Sequence, residues 1–256
     1  MSLSINNPTL AYEEHGVGVP VVFLHGLTFN RRTWRPVVER LGDGVRSIAA
    51  DLPGHGETPG PPPAWDDLVA DVHAFCADIG AERPVLVGHS MSGGLVGSYA
   101  ATYPVRGFVI VDSFPDLRPL TAVVRGLEPA LRGPAFDQAF APFQQSMGLD
   151  RIPEPLRSEV LAGQAINQEL VLGYWDGLLR APADELQAVI EGEMSRVSAP
   201  GLLVFGRELG EGERAYLTSH IPWATVEEWV GDGHCLHLVE PDRFAERLRA
   251  FVAACD

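Results

Sequence analysis

The sequence predicts an α/β protein: a doubly wound, mostly parallel sheet interrupted by a helical insertion. Three observations carry that prediction. Short apolar runs alternate with helical stretches over the first 112 residues, which is the signature of βαβ units. The alternation stops from about Ser113 to Ser198, where helix-like stretches are separated by Pro and Gly without a convincing strand. It resumes with "GLLVFG" (Gly201–Gly206). The expected organisation is a core from residues 1–112 and 199–256, with residues 113–198 inserted between its halves. A chain of 256 residues is long enough for one such domain.

The elements follow in order. "VVFLHG" (Val21–Gly26) is a strand ending in a turn, and "TWRPVVERLGDG" (Thr33–Gly44) a helix closed by glycines. "VRSIAADLPGHGET" (Val45–Thr58) is a second strand with a Pro/Gly-rich loop, and "GPPPA" (Gly60–Ala64) a rigid break. "WDDLVADVHAFCADIGA" spaces Leu68, Val69, Val72, Phe75 and Cys76 on one helical face, with acids at its positive end. "PVLVG" (Pro84–Gly88) is the next strand, then a tight turn and a helix to about Tyr103, then the strand "RGFVIVD" (Arg106–Asp112). In the insertion, "LTAVVRGLEPAL" and "QELVLGYWDGLLR" read as helices. After "GLLVFG" come a helix, the stretch "ATVEEWVGDGH" (Ala224–His234) and a last amphipathic helix, "PDRFAERLRAFVAAC".

Composition excludes several functions. Net charge is −15, so the surface repels phosphate backbones and anionic membranes, and no nucleic-acid partner is expected. All 19 basic residues are Arg, which removes Schiff-base chemistry, a Ser-Lys dyad and a P-loop lysine. Cys76, Cys235 and Cys255 are too few and too scattered for a disulfide framework or a zinc site. "MSLSINNPTLAYEEHG" lacks the basic-then-apolar order of a secretory signal, and no apolar run approaches the ~18 residues of a membrane span. A reduced, cytoplasmic setting is the simplest expectation, with no membrane partner.

The chemistry centres on "VLVGHSMSGG" (Val85–Gly94). A strand feeding straight into a helix through Gly-His-Ser-Met-Ser is nearly the G-x-S-x-G nucleophile elbow, with Ser92 in place of the last Gly. Such a turn exposes the Ser90 hydroxyl, and the backbone N–H of Met91 opens the helix where an oxyanion would sit. The bland reading of Ser90 is a helix N-cap. A hydroxyl needs a base. "GDGHCLHLVEPDRF" puts His234 on a Gly-flanked loop at the carboxyl edge of the sheet, where α/β sheets collect their sites. His237 reads as packing or hydrogen bonding. The base needs an orienting carboxylate. Asp112 ends one strand and Glu208 follows another. Asp112 lies immediately at its strand end and Glu208 in a loop, and both stay candidates. His25 reads as shaping its loop through hydrogen bonds, His55 as a turn residue, and His89 as a flank of Ser90 that points away. Tyr174 and Trp175 either line a pocket or pack the insertion on the core.

Four segments, "FLHGLTFNRRTW", "DLPGHGET", "VGHSMSGG" and "GHCLHLVEPDRF", together resemble the α/β-hydrolase-fold superfamily in order and spacing. The resemblance implies Ser90 as nucleophile, His234 as base, an oxyanion hole from the N–H groups of Leu27 and Met91, and a helical cap made of residues 113–198. It calls for no cofactor and no metal. The chain departs from the family at Ser92 and at the acid. Most members carry Asp three residues after the Gly that ends the strand before last. Here that Gly is Gly206, and the position holds Leu209. Some members take the acid from the strand after the nucleophile helix, which is the place of Asp112, so the resemblance favours Asp112 over Glu208 as the acid.

The expected function is hydrolysis of a small carboxylic ester, thioester or lactone with an apolar part, as in a carboxylesterase. Two alternatives stay open: other chemistry on the same fold (a carbon–carbon bond hydrolase, a lyase or a cofactor-free dioxygenase), and a non-catalytic small-molecule binder. Substrate identity and oligomeric state are not legible.

Overall fold

The structure is a computed structural model that describes residues 10–255. The first nine residues, part of the stretch read above for a secretory signal, lie outside the described residues. Seven strands form one sheet: β1 (Tyr12–His15), β2 (Gly18–Leu24), β3 (Gly44–Ala50), β4 (Val85–His89), β5 (Gly107–Val111), β6 (Gly201–Phe205) and β7 (Thr225–Glu228). Their spatial order is β1-β3-β2-β4-β5-β6-β7. All neighbours run parallel except β1, which pairs antiparallel with β3 at the edge, Tyr12 opposite Ala50. That edge strand escapes the sequence reading because "YEEH" is short, charged and only partly buried.

Strands β4, β5 and β6 are buried at every position, so their residues feed two cores in alternation. On one face Val21, Phe23, Val87, Val109 and Val204 meet Trp34 and α1 (Arg35–Leu41) and the last helix, α12 (Pro241–Ala254). On the other, Val22, Leu24, Leu86, Ile110 and Leu203 meet α2 (Trp65–Asp78) and α3 (Met91–Thr102). Each fully buried aliphatic or aromatic side chain contributes about 1.5–3 kcal/mol relative to exposure. The period of two explains why continuous apolar runs work as strands here.

Between β5 and β6 the described chain is helical: α4 (Arg118–Leu131), α5 (Phe136–Ser146), α6 (Leu156–Ala162), α7 (Gln168–Tyr174), α8 (Asp176–Arg180) and α9 (Ala183–Arg196). After β6 come α10 (Glu211–His220) and, beyond β7, the short α11 (Leu236–Val239). Among the described residues no helix is long and apolar enough to cross a membrane.

The order β3-β2-β4 marks a reversal: the connection leaving β2 goes to one side and the chain after β4 continues to the other. A crevice opens outside the carboxyl ends of strands at such a point. The loop after β2 and the turn after β4 therefore lie side by side.

Candidate active site

The backbone is most strained at that edge. Among the described residues, three non-glycines adopt positive φ: Thr28 at 71°, Ser90 at 53° and Asp112 at 47°. They follow β2, β4 and β5, three neighbouring strands. Left-handed backbone outside glycine persists only where the surroundings over-determine it, and it clusters at functional sites.

Ser90 sits where β4 turns into α3. Its N–H still bonds Val111 O at 2.9 Å, so the ladder runs up to the turn and then breaks. Crowding makes the elbow: a Cβ on Gly88 would stand 2.1 Å from Ser92 O. The N-cap reading of Ser90 fails, because its side chain makes no cap bond to α3. Met91, as the first residue of α3, presents an N–H that the helix itself cannot satisfy. Ser92, where a glycine is usual, is fully buried and donates its hydroxyl to His25 O at 2.5 Å. The departure thus ties α3 to the loop after β2.

That loop is a turn closed by Phe29 N–H to Gly26 O at 3.1 Å, with Leu27 and Thr28 at its centre. It touches the elbow: a Cβ on Gly26 would be 3.1 Å from Ser90 Cβ. His25 holds it as expected. Its Nε2 accepts Leu52 N–H at 3.0 Å, so Nδ1 carries the proton and donates to Gly26 O at 2.8 Å. Burial pushes the His25 pKa down to about 4, which keeps the ring neutral. His55 does sit in a turn, its N–H bonding Leu52 O at 3.0 Å and its O accepting Thr58 N–H at 3.0 Å, but its side chain does more than a turn requires. It is buried at 1% exposure, and its Nε2 accepts Thr28 N–H at 3.1 Å. Nothing in "PGHGE" signals this, since the partner lies 27 residues away.

His234 stands on the loop between β7 and α11, and its Nδ1 lies 2.7 Å from Asp112 Oδ2. Asp112 Oδ1 accepts Gly206 N–H at 2.9 Å. The His234 loop is clamped to the end of β6: Gly233 N–H bonds Gly206 O at 2.9 Å, and a Cβ on Gly206 would meet Gly233 O at 1.9 Å. His89 also points at it, donating Nε2–H to His234 O at 2.9 Å. His237 is packing: its ring lies 4.3 Å from that of Trp34, tilted by 31°.

The structure brings Asp112, not Glu208, to His234. The Glu208 side chain is 74% exposed and lies 3.6 Å from Arg214. Leu209, at the position where the acid is usual, is buried in the core and its N–H bonds Glu228 Oε2 at 2.8 Å. Ser90 Oγ and His234 are not hydrogen-bonded to each other among the described residues. Beside the Asp112–His234 pair opens a cavity of about 430 Å³, rimmed by Ser146, Arg151, Arg207 and Glu208. Tyr174 and Trp175 are both buried. Tyr174 donates its hydroxyl to Pro53 O at 2.8 Å, and Trp175 packs 4.9 Å from Phe143. Among the described residues no group of three or more His, Cys, Asp or Glu could hold a metal ion.

Comparison with known proteins agrees with this fold. Residues 21–247 match the model of the alpha/beta hydrolase family. The chain is 28% identical over 247 residues to 2-succinyl-6-hydroxy-2,4-cyclohexadiene-1-carboxylate synthase of Serratia proteamaculans, covering 91% of this chain and 92% of that protein. In structure it is similar to a thermophilic esterase from Thermogutta terrifontis, with a TM-score of 0.73, 23% identity, and 96% and 93% of the two chains covered. It is likewise similar to the enol-lactonase from Burkholderia xenovorans LB400, with a TM-score of 0.71, 19% identity, and 95% and 96% of the two chains covered. The two structural likenesses speak for the fold, and the family match spans most of the sequence. The chain belongs to the alpha/beta hydrolase family.

Proposed function

We propose that this hydrolase cleaves a small carboxylic ester, thioester or lactone through an acyl-enzyme on Ser90, with His234 as base and Asp112 as the orienting acid. The observation that carries the reading is the 2.7 Å contact between Asp112 Oδ2 and His234 Nδ1, set one strand away from a serine on a strained elbow. A carboxylate at Nδ1 fixes the proton there and leaves Nε2 as the basic nitrogen. Nε2 then takes the Ser90 proton as Oγ attacks the substrate carbonyl. Such hydrogen bonds often tighten only when substrate arrives. The developing O⁻ is received by the N–H groups of Leu27 and Met91, each worth about 3 kcal/mol. His234 returns the proton to the leaving oxygen or sulfur, and then activates the water that releases the acid.

Residues 113–198 serve as the cap over this edge. The Leu, Val, Phe and Trp content of that insertion supports a substrate with an apolar part. The names of similar proteins, an esterase and an enol-lactonase, support the same class.

The test is labelling with a fluorophosphonate probe, followed by mapping of the modified peptide. Rapid modification of Ser90, abolished by Ser90→Ala, is the expected result. Folded protein that resists the probe and turns over no ester overturns the reading and favours other chemistry on the fold or a binding protein.

A further inference from the structure

Thr28 is the one β-branched residue, among those described, whose backbone lies in the left-handed region. Its Cβ crowds the backbone there more than Ser or Asp does, so that conformation has to be held in place. Three residues hold it: His55, Ala165 and Gln164. His55 Nε2 accepts Thr28 N–H at 3.1 Å. Thr28 O accepts Ala165 N–H at 2.8 Å, and Gln164 Nε2 reaches Thr28 Oγ1 at 3.4 Å. His55 itself is locked. Its Nδ1 faces Pro53 O at 3.2 Å, and the same carbonyl receives the Tyr174 hydroxyl at 2.8 Å. The ring lies 4.7 Å from His25 and 5.2 Å from Tyr174, centroid to centroid.

The pattern of donors settles the tautomer. Thr28 N–H donates to Nε2, so the His55 proton sits on Nδ1 and points to Pro53 O. Burial pushes its pKa down to about 3, with His25 acting in the same direction, so the ring stays an acceptor toward Thr28 across the physiological range. The bond also commits the Thr28 N–H. Of the two residues at the centre of the turn, only Leu27 keeps its N–H for a ligand at Ser90.

We propose that His55 is a positioning residue for the oxyanion hole: by accepting Thr28 N–H it holds the strained turn that aims Leu27 N–H at Ser90, and through Pro53 O it joins that turn to Tyr174 of the helical insertion. The inference rests on the reading of Ser90 as nucleophile. His55 is 1% exposed and acts through Thr28. Its effect is geometric, and a misplaced donor costs rate rather than binding.

The experiment compares His55→Phe, His55→Gln and His55→Asn with the wild type. Phe keeps the ring and loses the acceptor. Gln places its Oε1 near the old Nε2, whereas Asn is too short to reach Thr28. With an activated small ester, Phe and Asn should lower kcat roughly ten- to a hundredfold and leave KM within about twofold. A boronic acid that adds to Ser90 should bind more weakly by the same factor in both, and Gln should recover most of the loss. Amide exchange is measured alongside: Thr28 N–H should be protected in the wild type and in Gln, and exposed in Phe and Asn. If Phe does not fold, the Gln–Asn pair decides. A kcat in Phe and Asn within about twofold of wild type overturns the proposal. So does a Thr28 amide that stays protected without His55. If the wild type resists fluorophosphonate and hydrolyses no ester, the reading of Ser90 fails, and Thr28 exchange alone then decides whether His55 braces the turn.

Discussion

Asp112 and His234 meet 2.7 Å apart although 122 positions separate them in the chain. The carboxylate is shared: one oxygen faces the imidazole and the other accepts Gly206 N–H at 2.9 Å. The second bond fixes the plane of the carboxylate and therefore the direction in which it holds the ring.

That arrangement predicts an asymmetry between two acids. Asp112→Asn should lower kcat by about 10³–10⁴, because an amide at Nδ1 favours the wrong tautomer. Glu208→Gln should stay within about twofold of wild type, since an exposed pair with Arg214 contributes little. Steady-state turnover of an activated ester measures both. A crippled Glu208→Gln beside a mild Asp112→Asn would sink the assignment.

The clamp between β6 and the His234 loop predicts a steric effect. A methyl group at Gly206 would stand 1.9 Å from Gly233 O, too close for any rotamer to relieve. Gly206→Ala should destabilise the fold by at least about 2 kcal/mol and displace His234, so that urea midpoint and kcat fall together. An alanine variant with wild-type midpoint and rate would show that the two loops separate freely.

Buried imidazoles predict how stability depends on pH. Burial depresses the pKa of His25 to about 4, of His55 to about 3 and of His237 to about 3, and that of His89 well below its ordinary value of 6.5. The unfolded chain takes up protons near 6.5 while the folded chain does not, so the unfolded state binds more protons between the two values. The stabilisation is complete above about pH 6.5 and is lost progressively as pH falls toward 3–4, by up to about 1.4 kcal/mol per pH unit for each ring. Urea unfolding at pH 7.5, 5.5 and 4.5 should show it. His237→Phe should flatten the slope by its share at little cost near neutrality, because its buried ring nitrogens find no protein partner. An unchanged slope in that variant would refute the share given to His237.

Thiol chemistry should be silent in the folded protein. Burial pushes the Cys76 and Cys235 thiols up to about 12, so almost no thiolate is present near neutral pH. Iodoacetamide should leave both unmodified in buffer and alkylate both in urea, as read by peptide mass. Modification of native Cys235 would mean that the loop beside His234 opens.

Much of the site is legible in sequence because it is written locally. Gly88, Ser90 and the small residues after it specify a strand, a sharp turn and a helix within ten positions. Gly231 and Gly233 mark the loop that carries His234, and the strand "GFVIVD" places Asp112 at the sheet edge. Other features have no local mark. The edge strand β1 is a charged tetrapeptide that pairs only because β3 offers a free edge. The left-handed Thr28 contradicts its own propensity and is held by residues 27 and about 137 positions away.

By itself, then, the sequence determined the alternation of strands and helices, the elbow at Ser90 and the histidine loop, because apolar period and glycine placement act over a few residues. Tertiary structure alone decided which acid meets His234, what His55 does and how the loop after β2 is held. Asp112 and Glu208 both follow strands, and only the paths of their loops separate a carboxylate 2.7 Å from the ring from one turned to Arg214 in solvent. Those outcomes depend on which chain segments fold against one another, and no stretch of neighbouring residues contains that information.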